Sequence, residues 1–166
     1  MTNSPIGIPT PHGIFVATYS QTGLSRLEFP EKVAPPKKNP ALIGLAKRWH
    51  ATTTKALKTM LLGQAPTDLP PLDLSSGTEF QISVWRQLLQ IPLGQARSYI
   101  ELAGRLGKPG ASRAVGSACG ANPIPVIVPC HRVLAALGRI PHAAARGAAA
   151  GAAARADAAG AAAAAA

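Results

Sequence analysis

The stretch "SYIELAGRLGKPGASRAVGSACGANP", Ser98–Pro123, holds two short helical patterns around one turn rich in glycine and proline. Ser98 can cap the first helix by accepting from its unpaired N–H groups, and Gly107 can end it. "KPGA" turns the chain. Ser112 is placed to cap the second helix, which Gly120 and the Asn122–Pro123 pair would stop. That second helix is short and becomes basic at its start through Arg113. A helix pair of this kind is the pattern of a helix-turn-helix.

Upstream, "TEFQISVWRQLLQI" (Thr78–Ile91) reads as an amphipathic helix. Phe80, Val84, Leu88 and Ile91 form its apolar stripe, and Thr78 is its cap. Before it, "GQAPTDLPPLDLSSG" is a proline-rich linker, which places a domain boundary near Leu74. Residues 41–62 repeat apolar positions at helical spacing and predict one or two helices. "EKVAPPKKNP" is a Pro/Lys connector. Residues 6–29 read as a hairpin, with β-rich runs at Ile14–Tyr19 and Leu24–Phe29 around "SQTG". The fold class is α+β. A small α/β unit (hairpin plus helices) covers 1–73. A helical, winged-helix-like unit covers 74–166.

Downstream, "PIPVIVPCHRVLAALGRI" (Pro123–Ile140) sets Cys130 beside His131 after an apolar run broken by prolines. "IPVIV" reads as a short buried strand or extended loop. A thiol reacts as the thiolate, so it needs a neighbour that takes its proton or stabilises its charge. Pro129 fixes the backbone entering the turn. "VLAAL" is a good helix continuation, which would put Cys130 near a helix N-terminus, where the dipole lowers a thiol pKa. Taken alone, a Cys-His pair also fits a buried structural cysteine beside a chance histidine.

The formal net charge over 166 residues is +10, which points to an anionic partner such as nucleic acid or an anionic membrane. Two cysteines, Cys119 and Cys130, cannot build a disulfide scaffold and fit a reducing compartment. No signal peptide pattern opens the chain, so it is expected not to be secreted. No apolar run reaches the ~18–20 residues that span a bilayer. His12, His50, His131 and His142 show no metal-ligand spacing, and no metal or organic cofactor is implied.

"NPIPVIVPCHRV" resembles the active-site signature of the O6-alkylguanine-DNA alkyltransferases, the methylated-DNA–protein-cysteine methyltransferases. "TEFQISVWRQLLQIPLGQARSYIELAGRLGKPGASRAVGSACGANP" is similar to the DNA-binding half of that family in order and spacing, so the likeness runs through residues 78–140. The N-terminal unit resembles the family's less regular first domain.

The resemblance implies a cytoplasmic or nuclear monomer that needs no protein partner. It would bind double-stranded DNA containing alkylated guanine through the minor groove and flip the base out. It would then move the O6-alkyl group onto Cys130 once, with O4-alkylthymine as a further substrate. His131 would take the thiol proton through a water. Tyr99 would donate a proton or hydrogen bond to the guanine. Arg113 would fill the gap left by the flipped base, a use that suits a planar guanidinium. Ser112 could donate to a phosphate, and the small Ala111, Ala114 and Gly116 would let the helix approach the groove. Asn122 would be the hinge between the recognition helix and the active-site turn. Pro125, with the backbone carbonyls of Cys130 and Val133, would line the base pocket. Cys119 matches no acceptor position and reads as a small packing residue.

The chain leaves the family's pattern after Ile140. The family continues with a Gly-Gly-aromatic-Ser-Gly-Gly loop and a helix whose glutamate holds the histidine. Here 18 of the last 24 residues, 143–166, are alanine. An all-alanine helix buries little apolar area, although alanine's propensity favours a helix from about Ala148. Asp157 falls where the glutamate is expected and is one methylene shorter. Two alternatives stay open: a non-enzymatic lesion-binding relative, and a transferase impaired by its tail. A helix-turn-helix transcription factor would leave Cys130, His131 and Tyr99 unexplained.

Overall fold

The computed structural model describes residues 4–135 and 148–165. The segment 141–147, where the family's loop is replaced and His142 lies, falls outside the described residues, as does Ala166.

The N-terminal sheet is a three-stranded antiparallel meander of β1 (Ile6–Thr10), β2 (Gly13–Tyr19) and β3 (Leu24–Glu28). The sequence predicts a hairpin only, because Gly7, Pro9 and Pro11 break the first run. β1 tolerates Pro9 because it is an edge strand. Its free edge is closed by the connector: Asn39 accepts from the Gly7 N–H at 2.8 Å and donates back to the Gly7 carbonyl at 3.1 Å. β3 forms the other edge, and two distant segments occupy it. The linker pairs there through Leu24 N–H to Pro71 O and Asp73 N–H to Leu24 O, both 2.8 Å. One turn further on, the Leu27 N–H donates to Pro123 O at 2.9 Å. The sheet edge therefore holds the segment that leads to Cys130.

A single helix, α1 (Gly44–Leu61), follows the connector. α2 (Glu79–Leu88) begins at Thr78, the cap its sequence predicts, and Gln81 completes a capping box with it. Val84, Leu88 and Ile91 are buried on its stripe, Phe80 is half-buried, and Trp85 is buried beside them. The Trp85 indole N–H donates to Ala118 O at 2.8 Å, which locks α2 to the recognition helix. β4 (Arg97–Ser98) leads into α3 (Tyr99–Arg105), capped by Ser98 and Glu101 in a second capping box. Gly107 at φ +68° turns the chain. α4 (Ser112–Gly120) completes the helix pair. Here one expectation is corrected: Ala111 precedes the helix with no side-chain cap, and Ser112 is its first helical residue.

Of the two forms open for the segment before the thiol, strand or loop, Pro123–Val128 takes the loop, a buried turn with one bridge, Pro125 to Val128. The helix expected after the thiol is corrected. After the 3-10 turn Cys130–Arg132, the chain forms β5 (Val133–Leu134), parallel to β4, and not a helix. A short apolar run has no periodicity of its own to choose between helix and strand, and pairing with β4 decides it.

The alanine-rich end is helical, α5 (Ala148–Ala165), and docked, with Ala149, Ala150, Ala152 and Ala153 buried. One apolar cluster runs from the sheet through α1, α2 and α4 to Ala149, Ala150 and Ala153. The docking is close enough that a Cβ on Gly160 would collide with the Gly63 backbone. Gly63 itself, at φ +71°, faces the Ala156 carbonyl.

This contact reverses an ordinary expectation. Glycine to alanine in a helix interior normally gains about 1 kcal/mol of propensity. Gly160→Ala should instead lower the melting temperature, because backbone atoms of two elements cannot yield. Gly151→Ala, whose Cβ would meet only the mobile end of Arg155 at 3.0 Å, should raise it. Thermal unfolding of the two variants checks the pair, and a gain from Gly160→Ala would contradict the close docking.

Candidate active site

Three consecutive turns deliver the thiol. Asn122 Nδ2 donates to Val128 O at 2.8 Å, and Asn122 Oδ1 accepts from the Ile124 N–H at 3.0 Å. Asn122 thus staples the end of α4 to both ends of the turn after it. Within that turn Val126 has φ +72°, the one positive φ outside glycine among the described residues. A β-branched residue there stores about 1–3 kcal/mol of strain. The Cys130 N–H then donates to Val128 O at 2.9 Å across Pro129, whose φ −82° and ψ 68° are those of an inverse γ-turn. Proline's fixed φ suits that position.

Cys130 and His131 face a cavity of about 40 Å³ that is also lined by Asn122, Pro125, Cys119, Phe29 and Lys32, with Ala150 and Ala153 of α5. This is room for about three waters. Burial pushes the Cys130 thiol up from its ordinary value. The Asn122 side chain, the N–H groups of Cys130 and His131 and the Lys32 charge pull it back without reversing that. The sequence expectation of a lowered thiol pKa is therefore corrected: no long helix starts at Cys130, and burial dominates. The resting group is a thiol, and it needs a base.

Asp157 of α5 reaches this turn. His131 Nε2 lies 3.0 Å from Asp157 Oδ2. Arg132 Nε donates to the same oxygen, and its Nη2 donates to Asp157 Oδ1 at 3.3 Å. Its Nη1 donates to Ile91 O at 2.8 Å, at the end of α2. All three side chains are buried. Burial opposes ionisation of Asp157, but the hydrogen bonds and charges of His131 and Arg132 outweigh it and hold its pKa below the ordinary value. A carboxylate only accepts, so Nε2 carries the imidazole proton and Nδ1 is left as the acceptor.

Tyr99 is half-buried at the start of α3. Burial first, then the nearby thiols of Cys119 and Cys130, push its phenol up to about 12, so it stays protonated at neutral pH. Gly116 of α4 packs under its ring: a Cβ there would sit 3.7 Å from Cζ. Arg113 and Ala114 are exposed on α4, and Ser112 is half-buried beside them. Arg113 has no ion-pair partner among the described residues. Pro125 lines the cavity, whereas the Val133 side chain is buried in the core. Cys119 lies both in the core and on the cavity wall, where burial raises its pKa to about 12. Sequence reasoning missed Arg132, Lys32 and Phe29, whose places depend on segments far apart in the chain. Among the described residues, no cluster of His, Cys, Asp or Glu could hold a metal ion, and no helix is long and apolar enough to cross a membrane.

Residues 79–163 match the family profile described as "6-O-methylguanine DNA methyltransferase, DNA binding domain". The chain belongs to this family. It is 59% identical over 69 residues to the methylated-DNA–protein-cysteine methyltransferase of Mycobacterium tuberculosis, an alignment covering 42% of this chain and 41% of that one. Against the Salmonella typhimurium enzyme of the same name, identity is 54% over 98 residues, or 57% of each chain. These alignments span about two fifths to three fifths of the relatives' length. The crystal structure of Mycobacterium tuberculosis OGT in complex with DNA superposes with a TM-score of 0.74 at 33% identity. It covers 95% of this chain and 94% of that one. The α+β architecture is that of these relatives.

The Asp157 node has a pH signature. A carboxyl with a lowered folded pKa stabilises fully above its unfolded value and loses that contribution as pH falls through the folded value. Denaturant unfolding should therefore show stability falling below about pH 4. Asp157→Asn, which leaves a buried arginine unpaired, should cost about 3–5 kcal/mol at pH 7 and flatten the acid slope. Equal slopes for both proteins would contradict the ion pair.

Proposed function

We propose that this protein is a single-turnover DNA repair transferase that moves the alkyl group of O6-alkylguanine in double-stranded DNA onto Cys130. The observation that carries the reading is the buried thiol–imidazole–carboxylate arrangement of Cys130, His131 and Asp157 beside a helix-turn-helix. α4 enters the minor groove, with Ser112 on a phosphate, Ala114 at the groove wall and the unpaired, exposed Arg113 filling the vacated stack. The flipped base enters the cavity between Pro125, the Cys130 and Val133 carbonyls and Tyr99.

His131 Nδ1 takes the thiol proton through a water, and Asp157 stabilises the imidazolium that results. The sulfur attacks the alkyl carbon, the C–O6 bond breaks, and Tyr99 supplies a proton to the leaving base. Asn122 acts as a hinge between α4 and the thiol turn. DNA substrate with O4-alkylthymine is a second class. The working form is a monomer in the cytoplasm, or the nucleus in a eukaryote, without cofactor or metal. Residues 1–73 form the supporting unit and 74–166 the transferase unit. A lesion binder without chemistry is disfavoured because Cys130 and its base are both in place.

Intact-protein mass after mixing with a duplex holding one O6-methylguanine tests this. One methyl should replace one hydrogen, mapped to the Cys130 peptide, and Cys130→Ala should gain none. His131→Gln and Tyr99→Phe should each slow transfer by about 10²–10⁴. No mass gain with DNA binding intact would move the chain to lesion binding.

A further inference from the structure

A second cavity lies behind the imidazole. It measures about 210 Å³ and is lined by Gly94, Gln95 and Ala96 of the α2–β4 loop, by Leu134, and by Ala154, Asp157 and Ala158 of α5, with His131 and Arg132 at its base. Among the described residues, the thiol cavity and this rear cavity have one in common, His131. Asp157 borders only the rear one. Gly94, Gln95, Ala96 and Ala158 are exposed, so the rim opens to solvent. Ala154 and Ala158 sit one turn apart on the face of α5 that carries Asp157. Leucine at these positions would take up part of the space. The imidazole is thus a partition, with the thiol before it and a cavity open to solvent behind the edge that meets Asp157.

Proton balance gives this space a task. On alkyl transfer the thiol proton leaves the sulfur, an S–C bond forms and the C–O6 bond breaks. The guanine takes one proton, delivered by Tyr99, which is reprotonated from solvent. Reprotonation of Tyr99 leaves the protein one proton richer, held as the His131 imidazolium beside Asp157 until that proton reaches solvent. A base seated in the front cavity would stand between the thiol and bulk solvent on that side. We propose that the rear cavity is the port through which the proton taken from Cys130 passes from His131 to solvent while DNA closes the front. The inference rests on the transferase reading.

Two measurements test it. In His131→Gly, with methylated duplex bound, imidazole in solution should restore alkyl transfer at least tenfold by entering from behind. In His131→Gly combined with Ala154→Leu and Ala158→Leu, that restoration should vanish while DNA binding persists. Restoration that survives filling, or no restoration at all, would overturn the port. The second measurement needs neither DNA nor a change at His131. Exchange of the His131 Nε2–H with water, read by NMR, should slow at least fivefold in Ala158→Leu, a substitution at an exposed position that keeps helix propensity. An unchanged exchange rate would count against the port. Failure of the unaltered chain to gain a methyl is a separate result and would instead sink the transferase reading.

Discussion

The carboxylate of Asp157 is shared by two cationic or proton-bearing partners from one turn of chain, and the rest of the site depends on that sharing. A buried carboxylate is costly unless its lone pairs are used. His131 and Arg132 use them. Arg132 also donates through Nη1 to the Ile91 carbonyl. One ion pair thereby joins α5, the thiol turn and the end of α2. The same bonds fix the tautomer of the base that serves the thiol. Stability and chemistry are here one set of hydrogen bonds, so neither can be altered alone.

This explains how an alanine-rich helix can serve as the last wall of an active site. Each alanine buries little apolar area, so α5 cannot be held by large side chains. It is held by a polar node at Asp157 and by backbone proximity at Gly63 and Gly160, which small residues alone permit. The same smallness leaves the space behind His131 unfilled. Composition that reads as a loss of information therefore has two structural results, close docking and an open rear face.

Much of the transferase half was legible because its signals are local. The capping boxes at Thr78 and Ser98 each lie within four residues, and the stripe of α2 repeats within three turns. Asp157 could be placed by counting from Cys130, since the helix carrying it begins where alanine propensity predicts. What was not legible depends on distant segments. β1 is a strand because Asn39 and β2 cover its two edges, despite Gly7 and Pro9. "VL" after Arg132 is a strand because Arg97 and Ser98 lie beside it. The thiol's pKa had the wrong expected sign because burial is set by Phe29, Pro125 and α5, none of them its neighbours in sequence. Arg132 went unnoticed for the same reason, its partners being 25 and 41 residues away.

The central claim is that Asp157 orients the imidazole so that Nδ1 is free to accept the thiol proton. Nitrogen-15 NMR of the His131 ring in the DNA-free protein at neutral pH tests it most directly. The account predicts a proton on Nε2 and none on Nδ1, with that arrangement lost in Asp157→Asn. A ring protonated at Nδ1 in the unaltered chain would contradict it, because the nitrogen needed as base would then already carry a proton.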